Sequence, residues 1–500
     1  MQRRKTLSLL GLLLVTAALS AAYMQIETTH TKIIFEEEFE SHAQVVAGFA
    51  DEVYEELAGF LNYQQKPKVP VVLAAKTAWA NGFFSPFPAT IILYLTSPDN
   101  LFLGSRTENW LRSLYVHELT HYLHLTQYLG PAKYLRIFGP GVAMMSTIFM
   151  PGWWIEGITT YTESNFAAGG RGSSLSFALD YQVPYAQNSM WSLGQGSYGG
   201  PFHPSSRIYN TGYLMVDYLI RTYGIEAFID INNKFSIWPF FGMGGPFKKV
   251  TGYTDKELFQ FALAELPALE PSSATRLSPK FEGHSYLPTK TAIGLIGYRE
   301  GVYAGSGLYS YDNEKRSSHI LQLSLNKGSS ISFGEEKAVF SHIWADTTDP
   351  SYLQRSPVGY SDLYLLDLKT LEQERLTHKQ RLVHPAISYD GTRIVASLVD
   401  GPFYRLVHLD PETGTVETLY ESEGASYLQS SLNKDGSLLA TIKHESGNSS
   451  ILLLETGREA RTLIGPTSDE LRSVVFTDQN DLLFISDRNG IYSVYRYDLT

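Results

Sequence analysis

The stretch YVHELTHYLH at residues 115–124 places His117 and His121 four apart with Glu118 between them, in a chain of 500 residues that has no cysteine. On an α-helix, side chains four apart lie about 40° from one another around the axis, so two imidazoles can face one ion at about 2.0–2.1 Å from each nitrogen. Glu118 stands about 100° round from His117, beside such an ion without being forced into its coordination shell. That is where a general base for a metal-activated water would stand. The competing reading is a helix whose polar residues face solvent. Against it, Leu114, Leu119 and Leu123 with Tyr115 and Tyr122 leave little of this helix plainly solvated, and three buried polar groups without partners are costly.

A catalytic zinc takes three protein ligands and keeps a fourth position open. Glu156, in GWWIEGITTYTE at 152–163, is the candidate third ligand. Trp153, Trp154 and Ile155 would bury its carboxylate, which is expensive unless a metal satisfies it. His124 is in phase with His117 and His121 and is a rival ligand. Three successive helical turns touch one ion poorly, so a role behind the ligands or at the pocket suits it better.

These groups need elements to hold them. Residues 41–61 carry Val45, Phe49, Val53, Leu57 and Leu61 at the four-residue recurrence of an amphipathic helix. VPVVLAA at 69–75 and ATIILYL at 89–95 read as strands, and 109–129 reads as a helix that Gly130-Pro131 stops. Further helices are expected at 154–164, 207–223 and 254–265. LPALEPSS at 266–273 has no periodicity and two prolines, which marks a linker.

Beyond the linker the pattern repeats. LYSYD, LYLLDL, YRLVHLD, ILLLE and VYRYDL carry the acidic residues Asp312, Asp367, Asp410, Glu455 and Asp498 at intervals of 55, 43, 45 and 43. A turn marker tracks them at Glu335-Glu336, 389–391, 434–436 and 478–481, and the long interval holds the insertion ADTTDPSYLQRSPVGY. Repeats of about 43 residues built from short strands and Asp/Gly turns describe four-stranded propeller blades rather than a two-sheet sandwich. Five blades can be counted. A propeller must close to hide its edge strands, so either the first and last units join or the natural protein continues; the second is the expectation.

The chain opens with MQRRK and the apolar TLSLLGLLLVTAALSAAYM, the form of an export signal. Uncleaved, residues 7–24 are just long enough for a single anchor in the inner membrane. Without disulfides the exported chain must rely on packing, which suits a bacterial periplasm or cell envelope. The net charge of −11 disfavours a polyanionic partner, so no nucleic acid is expected. The expected division is a signal or anchor at 1–24, a catalytic domain at 25–268, a linker at 269–283 and a propeller at 284–500.

HELTH at 117–121 and WWIEGITTY at 153–161 resemble the two signatures of the gluzincin, thermolysin-like and peptidase-MA-like zinc metallopeptidases. ISYDGTRIVAS and FISDRNGIYSVYRYDL resemble TolB-like propeller blades. The first resemblance covers about 90–265. It implies an alpha+beta thermolysin-like domain with one zinc ion per chain on His117, His121 and Glu156, and Glu118 as general base. IYNTGYLMVDYLIRTYG at 208–224 is similar to a helix of zinc aminopeptidases that begins Y-x-x-G, which implies that Tyr209 stabilises the oxyanion; Tyr213 and His203 are the alternatives. IILYL resembles the edge strand that aligns substrate backbone. Two departures stand out. No G-x-M-E-N precedes the zinc helix, so exopeptidase action is unsupported. The acidic residue usual four positions after the ligand glutamate is Thr160, which leaves Glu163 to stand behind the zinc site. No G-x-S-x-G elbow suggests a serine hydrolase.

The implied function is an exported zinc endopeptidase acting on peptides or unfolded protein, with the propeller shielding the cleft. The alternative is an inactive gluzincin scaffold whose propeller binds a protein partner of the cell envelope.

Overall fold

The computed structural model describes residues 23–500 except 78–79, 99–106, 108, 128, 139–143, 145–146, 148, 201–203, 270–283, 301–304, 313, 315, 326–329, 346, 348–358, 456 and 500. An N-terminal α/β unit precedes an all-β propeller.

The N-terminal unit begins with β1 (Tyr23–Glu27), β2 (Thr31–Glu36), α1 (Glu40–Phe60), β3 (Val69–Ala74), β4 (Gly82–Pro86) and β5 (Ala89–Tyr94). The five strands form one sheet in the order β1-β2-β3-β5-β4. β2, β3 and β5 run parallel, while β1 and β4 pair antiparallel at the two edges. Ile33 and Phe35, Val69, Val71 and Leu73, and Ile91 and Leu93 alternate along their strands onto one buried face. α1 covers that face with Val46, Phe49, Ala50, Val53 and Leu57. Val45, read from the sequence as part of this face, is 48% exposed. A strict four-residue step drifts about 40° per turn from the 3.6-residue period, so the stripe passes to Val46.

The resemblance made IILYL, residues 91–95, the edge strand, but β5 is interior and β4 lies outside it. β4 pairs with β5 from Gly82↔Leu93 to Pro86↔Ala89. Its sequence, GFFSP, carries glycine and proline at its ends and lacks alternation, so it gives little strand signal.

Among the described residues seven α-helices follow: α2 (Trp110–Leu125), α3 (Gly152–Asn165), α4 (Leu175–Ala186), α5 (Arg207–Tyr223), α6 (Ile225–Ile237), α7 (Gly244–Thr251) and α8 (Asp255–Ala264). Asn109 caps α2 by accepting from the Arg112 amide at 3.1 Å. α2 stops four residues short of 129, where the Thr126 hydroxyl turns back on the Tyr122 carbonyl at 2.6 Å. Thr254 and Glu257 form a capping box at the start of α8. α4, α6 and α7 were not foreseen, and α4 contains Pro184. Among the described residues no helix is long and apolar enough to cross a membrane. The signal or anchor lies outside them, apart from Tyr23 and Met24, which open β1.

The propeller comprises five antiparallel sheets in chain order, four of four strands and the last of three among the described residues. Blade one starts with His284–Thr291, blade two with Ile331–Phe333, blade three with Leu382–Ile387, blade four with Ala425–Leu432 and blade five with Leu471–Phe476. The recurring acidic residues all fall at the end of a third strand or just after it, and three of the carboxylates close the following turn. Asp312 accepts from the amides of Glu314 and Arg316, Asp367 from those of Lys369 and Thr370, and Asp410 from those of Glu412 and Thr413. Apolar cores form between neighbouring blades, as where Val339 and Leu363 of blade two meet Ile394 and Val407 of blade three.

Among the described residues, hydrogen bonds join the propeller to the N-terminal unit near the sheet and among the helices. Near the sheet, Ser97 Oγ donates to the Pro402 carbonyl at 2.8 Å, the Tyr404 hydroxyl donates to the Ser97 carbonyl, and the Gly359 amide donates to the Lys76 carbonyl at 2.8 Å. Among the helices, Arg472 Nη2 of blade five donates to Ser176 Oγ, in the first turn of α4, at 3.2 Å.

Candidate metal centre

α2 carries the site and is buried almost throughout, from Leu111 to His124, which makes unpaired polar groups on it costly. Two contacts tie it to α3: Thr120 Oγ1 lies 2.8 Å from Thr162 Oγ1, and His117 Nδ1 lies 2.8 Å from Glu163 Oε2. Glu156 and Glu163 are seven apart on α3, two turns along one face. One carboxylate therefore meets the front nitrogen of His117 and the other its back nitrogen.

On the front, Glu156 Oε2 lies 3.6 Å from His117 Nε2 and 3.4 Å from His121 Nε2. One ligand atom from each of these three residues falls within 4.8 Å of the others. The spacings are long for charge-assisted hydrogen bonds. They lie close to the roughly 3.3–3.4 Å edge of a tetrahedron whose centre is about 2.0–2.1 Å from each donor. Glu156 Oε2 is moreover a buried acceptor without a hydrogen-bond partner among the described residues. The donor chemistry and spacing fit a zinc ion. Glu118, 3% exposed, also has a buried, unpartnered Oε2.

The local charges follow from these contacts. Burial pushes the Glu156 carboxyl up, but the histidines more than reverse it and hold it well below the usual range. Burial pulls His117 down, and the nearby carboxylates of Glu156 and Glu163 overcome this to bring it to about 9. Glu118 is held above its ordinary value by burial, which His117 and His121 only partly offset.

Glu163 stands behind His117 and is itself held by Arg171. Arg171 donates its amide (3.1 Å) and Nε (2.7 Å) to Glu163 Oε1, and Nη2 (2.7 Å) to Oε2. Burial would raise the Glu163 pKa, but Arg171 and His117 draw it down to about 2. Thr160 turns its hydroxyl onto the Glu156 carbonyl at 2.8 Å.

α5 brings Tyr209 to the same place. α3 and α5 cross with their backbones in contact at Gly157 and Gly212, which sets Tyr209, one turn before Gly212, beside His117 with ring centroids 6.5 Å apart. Burial, reinforced by Glu156, pushes the phenol up to about 12, so it stays protonated and able to donate.

The remaining sequence candidates lie elsewhere. His124 joins a core network: its Nε2 lies 3.3 Å from Asn232 Oδ1, which also accepts from Trp154 Nε1 at 2.7 Å. Burial holds its pKa near about 4, with Asn232 opposing. Tyr213 packs on Phe177 at 5.8 Å. His203 lies outside the described residues. Arg171 escaped sequence reasoning; its one signal is a lone charge flanked by glycines in GGRGSS.

No family model matches the chain. An uncharacterized protein of Treponema pallidum (strain Nichols) is 28% identical over 207 residues, 40% of this chain and 18% of that protein, so the chain spans less than a fifth of its relative's length. Among solved structures, TolB from Acinetobacter baumannii is 15% identical over 44% of this chain and 55% of its own, with a TM-score of 0.31. A structure from a study of two prolyl endopeptidases is 12% identical over 43% of this chain and 34% of its own, with a TM-score of 0.30. The propeller architecture accordingly rests on the sheet topology itself.

Proposed function

We propose that the N-terminal unit is a zinc-dependent endopeptidase of the gluzincin type, exported to the periplasm or cell envelope and acting on short or unfolded peptides. The observation that carries the reading is the convergence of His117, His121 and Glu156, with the Oε2 atoms of Glu156 and Glu118 buried and without hydrogen-bond partners among the described residues. When bound, zinc lowers the pKa of a water and polarises a carbonyl.

The chain's own residues supply the rest. Glu118 accepts a proton at Oε2; burial raises its basicity towards that of a base matched to neutral pH. Tyr209 donates its phenolic hydrogen to the oxygen that gains charge on the substrate. β4, as an edge, offers unpaired backbone groups on which an extended peptide can add as a strand, a mode that suits unfolded chain. The propeller's contacts at Ser97, just past β5, and at Ser176, in α4, engage both parts of the unit, and such docking favours slender substrates over folded ones.

The test uses the full-length chain, purified without chelators, with zinc quantified and an unfolded polypeptide offered as substrate. About one tightly held zinc per chain and cleavage that a chelator abolishes are expected. No zinc and no cleavage would leave the propeller as the functional part.

A further inference from the structure

We propose that Arg171 is a positioning residue that sets His117 and Tyr209 in one register, so that metal ligation and oxyanion stabilisation depend on the same guanidinium. The proposal rests on the peptidase reading above and identifies the residue that joins its two halves.

Arg171 engages Glu163 through three donors, two on Oε1 and one on Oε2. A planar fork on a carboxylate fixes the plane of that carboxylate, and here it directs Oε2 at His117 Nδ1, 2.8 Å away. With the Nδ1 proton given to Glu163, the lone pair of Nε2 is left for ligation on the side of His121 and Glu156. Arg171 Nη2 also lies 3.0 Å from His117 Nδ1, a closeness that follows from both donors sharing Oε2.

The other contact of the guanidinium is Tyr209, with Cζ 4.4 Å from the ring centroid. Such stacking constrains the plane of the ring and hence the place of its hydroxyl. The helix crossing already fixes the Tyr209 backbone, so Arg171 controls the remaining rotation.

The chain around Arg171 is built for this placement. Gly170 has φ 117°, and a β-carbon on it would lie 2.6 Å from the Glu163 carbonyl oxygen. A β-carbon on Gly172 would lie 2.5 Å from the Tyr213 ring. Glycines on both sides let the loop press between α3 and α5 and deliver the arginine to both. Lysine would keep the charge beside Glu163 but supply neither the fork nor the stack.

In the full-length protein, Arg171→Lys and Arg171→Ala are compared with wild type for zinc affinity by chelator competition, for kcat and KM on an unfolded peptide, and for melting temperature. Arg171→Lys is expected to melt near wild type, to bind zinc roughly 10-fold more weakly, as the loss of a group behind a metal ligand does, and to lose kcat with KM unchanged. Arg171→Ala is expected to lose more, with part of kcat restored by methylguanidinium and none by methylammonium. Wild-type zinc affinity and kcat in a folded Arg171→Lys overturn the proposal. So does a lowered melting temperature with kcat per folded molecule unchanged. If wild type cleaves no peptide yet binds zinc, the peptidase reading fails, and zinc affinity alone decides whether Arg171 positions His117.

Discussion

Gly157 and Gly212 meet where α3 crosses α5: a β-carbon on Gly157 would lie 2.5 Å from the Gly212 carbonyl oxygen, and one on Gly212 would lie 2.2 Å from the Trp153 carbonyl oxygen. Glu156 directly precedes one glycine and Tyr209 stands a turn before the other, so this crossing fixes how far the Glu156 carboxylate is from the phenol. The Y-x-x-G pattern thereby acquires a physical reason, with the glycine admitting the neighbouring helix that the tyrosine serves.

Gly212→Ala must push the helices apart or shift their register. Overpacking of this kind costs roughly 1–3 kcal/mol, to be measured by urea denaturation, and cleavage is expected to fall with it as Tyr209 withdraws. An unchanged unfolding midpoint would show that the helices are free to separate.

Glu118→Gln keeps the shape of the side chain and removes its basicity. Zinc content is expected to stay at the wild-type level while peptide cleavage falls by at least about 100-fold, the scale of general-base contributions. Loss of zinc in this variant would instead make Glu118 a ligand.

Tyr209→Phe retains the ring over Arg171 and removes only the hydroxyl. A fall in kcat of about 100-fold with little change in melting temperature is expected if the phenol donates to developing charge. Unchanged kinetics would confine Tyr209 to packing.

Asp51 on α1 accepts from Thr28 Oγ1 at 2.6 Å, the Thr29 amide at 2.8 Å and the His30 amide at 2.9 Å. Burial pushes its carboxyl up, but these bonds outweigh it and lower the pKa from 3.8 to about 2. A depressed carboxyl contributes stability that is complete above its unfolded value and disappears as pH falls through its folded one. Asp51→Asn is therefore expected to be less stable than wild type at neutral pH, modestly because solvent screens the site. The gap should close between about pH 4 and about pH 2, followed by urea unfolding across that range.

Arg472 of blade five pairs with Glu470 at 2.6 Å, lies over Tyr492 and reaches Ser176 at 3.2 Å. Arg472→Ala weakens the propeller's hold on the start of α4, where Tyr492 also bonds Ser176. Faster cleavage of a folded substrate with an unchanged rate on a short peptide is expected if docking narrows the cleft. Equal rates on folded and unfolded substrates in the wild type would defeat the shielding idea.

What the sequence determined by itself was local and periodic. His117, His121 and Glu118 are placed by helical angle alone, and an acidic residue at each third strand's end followed from a repeat that its turn chemistry explains. Glu163 was named behind the site only through the family resemblance, as the next acidic side chain where the usual position holds Thr160. Tertiary structure decided what no period encodes. Which strand lies at the sheet's edge depends on the pairing of β4, whose own sequence carries little strand signal. Arg171 meets Glu163 and Tyr209 because α3 and α5 cross at two glycines and a glycine-flanked loop fills the space beside them. Those contacts join residues far apart along the chain, and they exist only once the buried faces of separate elements have chosen one another.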